Sequence, residues 1–467
     1  MIFQQQFESL ILSLIQKYKH QTDYLEIRLE ESDQEGINLN KDGIQKIGSS
    51  KKVGGCVRSC YKGGFGFASF CDLQQAETKV QEAIAISKLI GNSKTCLAPV
   101  PAVKDWVKIK PLLNPRDISL SEKIQILNSY KDVFESVKSD RIFDYSVRYA
   151  QEFHNKIFVN SEGSYIKQEF LSMDFVLGAT AFYNGVQTPM QKVFNCTQDF
   201  KFCKNKEDEV KEICADAHLF SDAQDMKGCE TTVIMDSALS GVFAHEAFGH
   251  TSEADLFASS PGGRETLKIG RKFGTDKLNI YDCGDMTNYS GSLKYDDEGV
   301  ATRKSKLIEN GVLVGRLHSR STAYDFEEEV TGSARAMTYE FPPIVRMRNT
   351  CIGMGDDKFE DLLADVKDGV YAVSLRGGFG GENFSFSPLK GYRIRNGKIC
   401  EPVKNFNITG NLFETLGRID GITGKEDFST LAAGGENGGC GKMEQYPLPV
   451  GMTAPRIRIS KISVGGN

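Results

Sequence analysis

Several things are scarce or missing in this chain of 467 residues. No stretch approaches the 18 or so apolar residues that a bilayer-crossing helix needs, which excludes an ordinary membrane-spanning helix. Basic residues, at 57, do not outnumber the 62 acidic ones, and the net charge is −5. An extended nucleic-acid footprint would need a basic stripe, and a lipid-bound surface a polybasic patch, so neither partner is expected. Twelve cysteines occur but no C-x-x-C pair, which removes zinc ribbons and thioredoxin-type motifs. A secretory leader is not expected either, since Gln4, Gln5, Gln6 and Glu8 break the opening apolar residues. The cysteines are therefore expected to be reduced and mostly buried, in a cytoplasmic protein. Histidine is rare, with six in all.

What is present reads as a multidomain α+β protein. Phe3, Phe7, Leu10, Ile11, Leu14 and Ile15 recur at helical spacing, as in an amphipathic helix packed on a sheet. Leu25, Ile27 and Leu29 alternate with Glu26, Arg28 and Glu30, the pattern of a half-buried strand. Asp42-Gly43 supplies a hairpin turn, strands continue from Gly54 to Phe70, and a helix running from Leu73 ends near Gly91. Periodicity fails from Asn92 to Asp117, where Pro99, Pro101, Pro111 and Pro115 suggest a linker or extended crossover. The pattern then restarts, with a helix at 119–137, strands over 141–194 and a helix near 207–220. The expected organisation is an N-terminal α+β domain over 1–227, with helices packed on mixed sheets in two units (about 1–91 and 118–227). A β-rich C-terminal domain over 228–467 follows, carrying the helix with the histidines. Asn310-Gly311 and Asn396-Gly397 mark hairpins there.

The chemistry concentrates in Gly241-Val-Phe-Ala-His245-Glu246-Ala-Phe-Gly-His250. Neutral imidazoles bind zinc, and a neighbouring carboxylate can take a proton from the attacking water. In the H-E-x-x-H arrangement the two histidines stand four apart on one helical face. Here they stand five apart, about 140° around a regular α-helix. One ion can be shared only if a π-bulge, or an opening at Gly249, brings the rings together, so the spacing predicts a helix defect. Two histidines leave the metal short of a protein ligand. Glu253, Asp255, His318 and Cys440 are chemically able to supply it, and spacing does not choose among them.

Further blocks make the chain resemble the TldD/PmbA family of metallopeptidases. They are His245-Glu-Ala-Phe-Gly-His250, Tyr295-Asp-Asp-Glu-Gly299, Leu307-Ile-Glu-Asn-Gly-Val-Leu313 and Gly377-Gly-Phe-Gly-Gly381. The run from Tyr392 to Val403, then Cys440-Gly-Lys442 and Leu448-Pro-Val-Gly451, complete the series. The match is nearest the TldD branch, since the sister branch typically lacks the H-E-x-x-x-H helix. The resemblance implies zinc held by His245, His250 and Cys440, with Glu246 as general base. It also implies a dimer, of identical chains or with a motif-lacking sister, enclosing a chamber for unfolded peptides.

The expected activity is metal-assisted peptide hydrolysis, with an extended substrate laid along a sheet edge. Two alternatives stand beside it: a zinc-binding partner or scaffold subunit without turnover, and a zinc hydrolase of non-peptide amides. Gly377–Gly381 lacks the Lys-Ser/Thr of a P-loop and reads as a turn or a close backbone approach. The acidic run Asp325–Glu329 reads as a solvated face. Arg346 and Arg348, alternating with apolar residues, read as a half-exposed strand.

Overall fold

The structure is a computed structural model that describes residues 5–92, 97–256, 261–425, 429–433 and 439–466. Phe3 of the first apolar stripe lies outside them. The chain is an α+β protein with 27% helix and 45% strand. Helix α1 (Gln5–Tyr18) is followed by β1 (Tyr24–Asn40), β2 (Gly43–Tyr61), β3 (Gly64–Phe70) and α2 (Ala76–Ile90). Strand β4 (Lys104–Val107), α3 (Leu120–Val137), β5 (Ile142–Asn160), β6 (Tyr165–Tyr183), β7 (Val186–Cys196) and α4 (Glu207–Ser221) form the second unit.

These two helix–strand–helix units share one sheet. Its order is β3-β2-β1-β5-β6-β4, with β7 also on β6, and β1 pairs antiparallel with β5 from Glu26↔Asn160 to Asn40↔Ser146. All four helices cover one face. Ile11, Leu14, Leu25, Ile27, Val80 and Ala83 form one core there, and Ile37, Leu127, Phe134, Tyr149, Phe175 and Phe220 the other. The stretch expected to be a linker contributes β4, which runs parallel to β6 through Lys104↔Tyr165 to Val107↔Gln168. Its Lys-Asp-Trp-Val sequence is too short for periodicity to register.

The opposite face of β1 corrects the half-buried reading. Glu26 is 1% exposed and Arg28 is 2% exposed, because the C-terminal half covers them. Arg58 Nη2 bridges Glu26 Oε2 at 3.0 Å and Glu298 Oε1 at 2.8 Å. Glu298 Oε2 accepts the Arg320 backbone N–H at 2.7 Å. Arg320 in turn grips Glu162 of the N-terminal half with both terminal nitrogens, at 2.7 and 2.8 Å. Lys156 reaches Asp297 at 2.9 Å. The block Tyr295–Gly299 is thus the knot between the two halves. Asp296 closes its turn by accepting the Glu298 and Val300 N–H groups at 3.0 and 2.8 Å.

After β8 (Gln224–Asp225), the C-terminal half begins with β9 (Cys229–Met235) and the short helix α5 (Ser237–Phe243). Strand β9 lies between strands 368–379 and 457–466, in a sheet that continues through 406–411 to 383–395. Pairing of 383–395 back onto 368–379 closes a five-strand ring. A second sheet runs 312–313, 304–309, 280–283, 349–352, 450–454 and 429–433. Both Asn-Gly pairs make the expected hairpins, with positive φ at Asn310 (50°), Gly311 (76°), Asn396 (47°) and Gly397 (75°). Helix α5 packs on strand 450–454, and a Cβ at Gly241 would stand 3.0 Å from the Met452 carbonyl carbon, so glycine sets the approach.

Removing one partner of a buried ion pair leaves a charge with no counter-ion, typically a loss of about 3–5 kcal/mol. Glu298→Ala is expected to lower the urea midpoint clearly. Glu298→Gln, which keeps an acceptor for Arg320 N–H, should lose less. Equal midpoints for wild type and Glu298→Ala would show that the knot does not couple the halves.

Candidate metal centre

Helix α5 opens on Asp236, whose carboxylate accepts the Leu239 N–H at 2.9 Å. The same oxygen accepts the Ser374 N–H at 3.0 Å, where φ is +59°. From Ala244 to Gly249 the helix becomes a π-turn. Hydrogen bonds from i to i+5 put residues five apart above one another. The rings of His245 and His250 accordingly lie 5.3 Å apart, tilted by 74°. The helix defect required by the spacing is present. It is packed tightly: a Cβ at Gly249 would fall 2.0 Å from Met347 Sδ, and one at Gly380 would fall 2.2 Å from the Glu246 carbonyl oxygen.

Cys440 reaches this helix from the far end of the chain, on a strand over 440–442 that pairs with 445–448. Of the glycines around it, Gly438 lies outside the described residues. Cys440 Sγ is 3.4 Å from His250 Nε2. His245, His250 and Cys440 each offer one donor atom within 4.8 Å of the other two, the one such group among the described residues. His245 is 1% and Cys440 2% exposed, and His250 is half-buried. Glu246, with about a third of its side chain exposed, places Oε2 4.0 Å from His250 Nε2.

The electrostatics suit a cation. Burial alone would push the Cys440 thiol up, but His245 and His250 outweigh it and hold the thiol well below its usual range. Burial pulls His250 down, yet Cys440 and Glu253 raise it to about 10. Each group thus favours the charged form of the other, and a metal at His250 would compete with a proton there. Two imidazoles and a thiolate are a donor set that zinc accepts, with a fourth position left open.

The other candidate ligands stand elsewhere. Glu253 lies behind the metal face: its Oε2 is 3.1 Å from His250 Nδ1, and its Oε1 accepts the Met347 N–H at 3.3 Å. Burial raises its carboxyl, but His250, Lys442 and Arg346 prevail and keep it ionised. Asp255 pairs with Lys442 at 2.6 Å. His318 is buried against Glu328 (2.8 Å) and Thr322 (3.1 Å). Of the acidic run, Asp325, Glu327 and Glu329 are exposed as expected, while Glu328 is drawn inward by His318 and Arg316. Arg346 and Arg348, read as half-exposed, are 0% and 1% exposed. Arg346 donates to the carbonyls of Cys440 (2.7 Å) and Gln445 (3.2 Å), fixing the loop that carries the thiolate. Sequence spacing gave no sign of this task, because the partners are backbone oxygens nearly 100 residues away.

The fold thus brings His245 and His250 of one helix, with Glu246 between them, together with the distant Cys440 in a group that could hold a metal ion. Residues 25–87, 113–217 and 228–466 match domain 1, the central domain and the C-terminal domain of the PmbA/TldA metallopeptidases. The chain belongs to the PmbA/TldD metallopeptidase family. It is 38% identical over 458 residues to a Synechocystis metalloprotease, covering 97% of both chains. It is 28% identical to a zinc metalloprotease TldD homolog of Saccharolobus solfataricus, over 95% of this chain and 96% of that one. Its fold matches TldE from Thermococcus kodakarensis with a TM-score of 0.76 at 18% identity, over 97% and 99% of the two chains. A Thermotoga maritima protein described as a proposed modulator of a DNA gyrase has the same fold, with a TM-score of 0.77 at 19% identity, over 98% and 99%.

Cys440→Ser is expected to weaken zinc binding severely in a competition titration. Glu253→Gln should weaken it about 10–100-fold, the usual effect of losing an outer partner of a ligand histidine. Unchanged affinity in both variants would remove the thiolate and its supporting carboxylate from the site.

Proposed function

We propose that the chain is a zinc-dependent peptidase in which His245, His250 and Cys440 hold the ion and Glu246 is the general base. The observation that carries this reading is the π-turn. It brings the two imidazoles edge to face beside Cys440 and leaves Glu246 partly open to solvent. Zinc held by these residues would supply Lewis-acid polarisation of a carbonyl and would acidify a water. Glu246 takes the water proton and delivers it to the leaving amine. A purely structural zinc site normally closes with four protein ligands and needs no base, which weighs against a scaffold role.

The geometry beside Glu246 favours an extended peptide. Of strand 368–379, β9 pairs with residues 369–372 alone, and among the described residues no strand pairs with 375–379 on that side. Gly380 then rests on the Glu246 backbone. A peptide added along this edge would be held by main-chain hydrogen bonds, giving loose sequence preference. The substrates are unfolded peptides or small protein fragments. The names of the metalloprotease relatives support the peptide bond as the target. The proposal includes a dimer, of identical chains or with a sister chain, and a cytoplasmic setting. The eleven free thiols among the described residues support a reducing compartment.

Glu246→Gln is expected to bind zinc like wild type and to lose about 10²–10⁴-fold in turnover of a mixed unfolded-peptide substrate, the range for a general base. Turnover within a few-fold of wild type would exclude Glu246 as the base.

A further inference from the structure

His250 has an obvious orienting partner in Glu253, whereas among the described residues no carboxylate hydrogen-bonds to His245. Its ring is nonetheless constrained. His245 Nδ1 lies 3.5 Å from Thr350 Oγ1, and Thr350 Oγ1 lies 3.2 Å from Asp282 Oδ1. Thr350 is fully buried and Asp282 is 2% exposed. Both sit on paired strands of the second sheet, where Asp282 and Thr350 are register partners. Asp282 is anchored too, since both its oxygens accept the Arg348 N–H at 3.0 Å.

Donor and acceptor counting assigns the protons along this chain. A hydroxyl has one hydrogen to give. Burial raises the Asp282 carboxyl to about 6; ionised above that pH, it only accepts, so the Thr350 hydrogen points to Asp282. The lone pairs of Thr350 Oγ1 then face His245, which can satisfy them only by donating Nδ1–H. A neutral imidazole protonated at Nδ1 keeps its free lone pair on Nε2. Glu253 selects the same tautomer at His250, where Nδ1 faces the carboxylate and Nε2 faces Cys440.

We infer that Thr350 is a positioning residue: with Asp282 behind it, its hydroxyl holds His245 in the Nδ1–H form that turns Nε2 toward the metal. The inference rests on the zinc reading above and adds a residue that makes no contact with the ion. It accounts for a fully buried threonine at a core position where valine would fill the same space.

The test compares Thr350→Val with Thr350→Ser. Valine keeps the shape and removes the hydroxyl, while serine keeps the hydroxyl. Zinc affinity is measured by chelator competition, the visible spectrum after cobalt(II) substitution reports ligand geometry, and the metal-free melting point checks the fold. Thr350→Val is expected to lose about 10–100-fold in zinc affinity with an altered cobalt spectrum, and Thr350→Ser to recover most of both. Wild-type affinity in Thr350→Val, or failure of Thr350→Ser to restore it, overturns the inference. A second readout needs no variant: nitrogen chemical shifts of zinc-loaded wild type should show His245 protonated at Nδ1. A proton at Nε2 overturns the inference even if Thr350→Val folds poorly. If wild type binds no zinc at all, the peptidase reading itself fails, which is a separate result.

Discussion

The site depends on one constraint: two histidines five residues apart must face the same point. An α-helix forbids this, and the chain resolves it with a single π-turn over Ala244–Gly249. The surroundings hold that irregular turn in place. Asp236 caps the helix and pins Ser374. Gly249 admits Met347, and Gly380 admits the Glu246 backbone. These contacts tie the turn to the end of strand 368–379 and to the segment before strand 349–352, so its neighbours hold the distortion from two sides.

The ligands are held by cations as much as by anions. Arg346 fixes the Cys440 loop through carbonyl oxygens, and Lys442 neutralises Glu253 and Asp255 behind His250. Burying so many charges is costly unless they pair. They pair here across the protein's two halves as well, where Glu298, Arg58, Arg320 and Glu162 join the N-terminal sheet to the C-terminal half. A rigid frame of this kind suits a metal centre, since ligand positions must hold to fractions of an ångström.

Much of this was legible in the sequence. The helices at 120–137 and 207–221 and both Asn-Gly hairpins followed from periodicity and turn chemistry. The five-residue spacing implied the helix defect by geometry alone. What stayed hidden was tertiary. Arg346, Arg348 and Glu26 look like surface residues because sequence pattern records charge and says nothing of the counter-charge that buries it. The block Tyr295–Gly299 marked the family, yet its task as an inter-domain knot appears only once Arg58 and Lys156 are in place beside it. Spacing left Cys440 one candidate among four and only the family resemblance favoured it; the fold carries it across 190 residues to His250.

The central claim is a zinc ion bound by two imidazoles and one thiolate, with a solvent-exchangeable fourth position. X-ray absorption at the zinc edge tests it most directly. The account predicts one sulfur at about 2.3 Å and two histidine nitrogens at about 2.0–2.1 Å. It also predicts a light fourth ligand that an added peptide-mimetic chelator replaces. A shell without sulfur, or one closed by four protein ligands that no added ligand displaces, would contradict it.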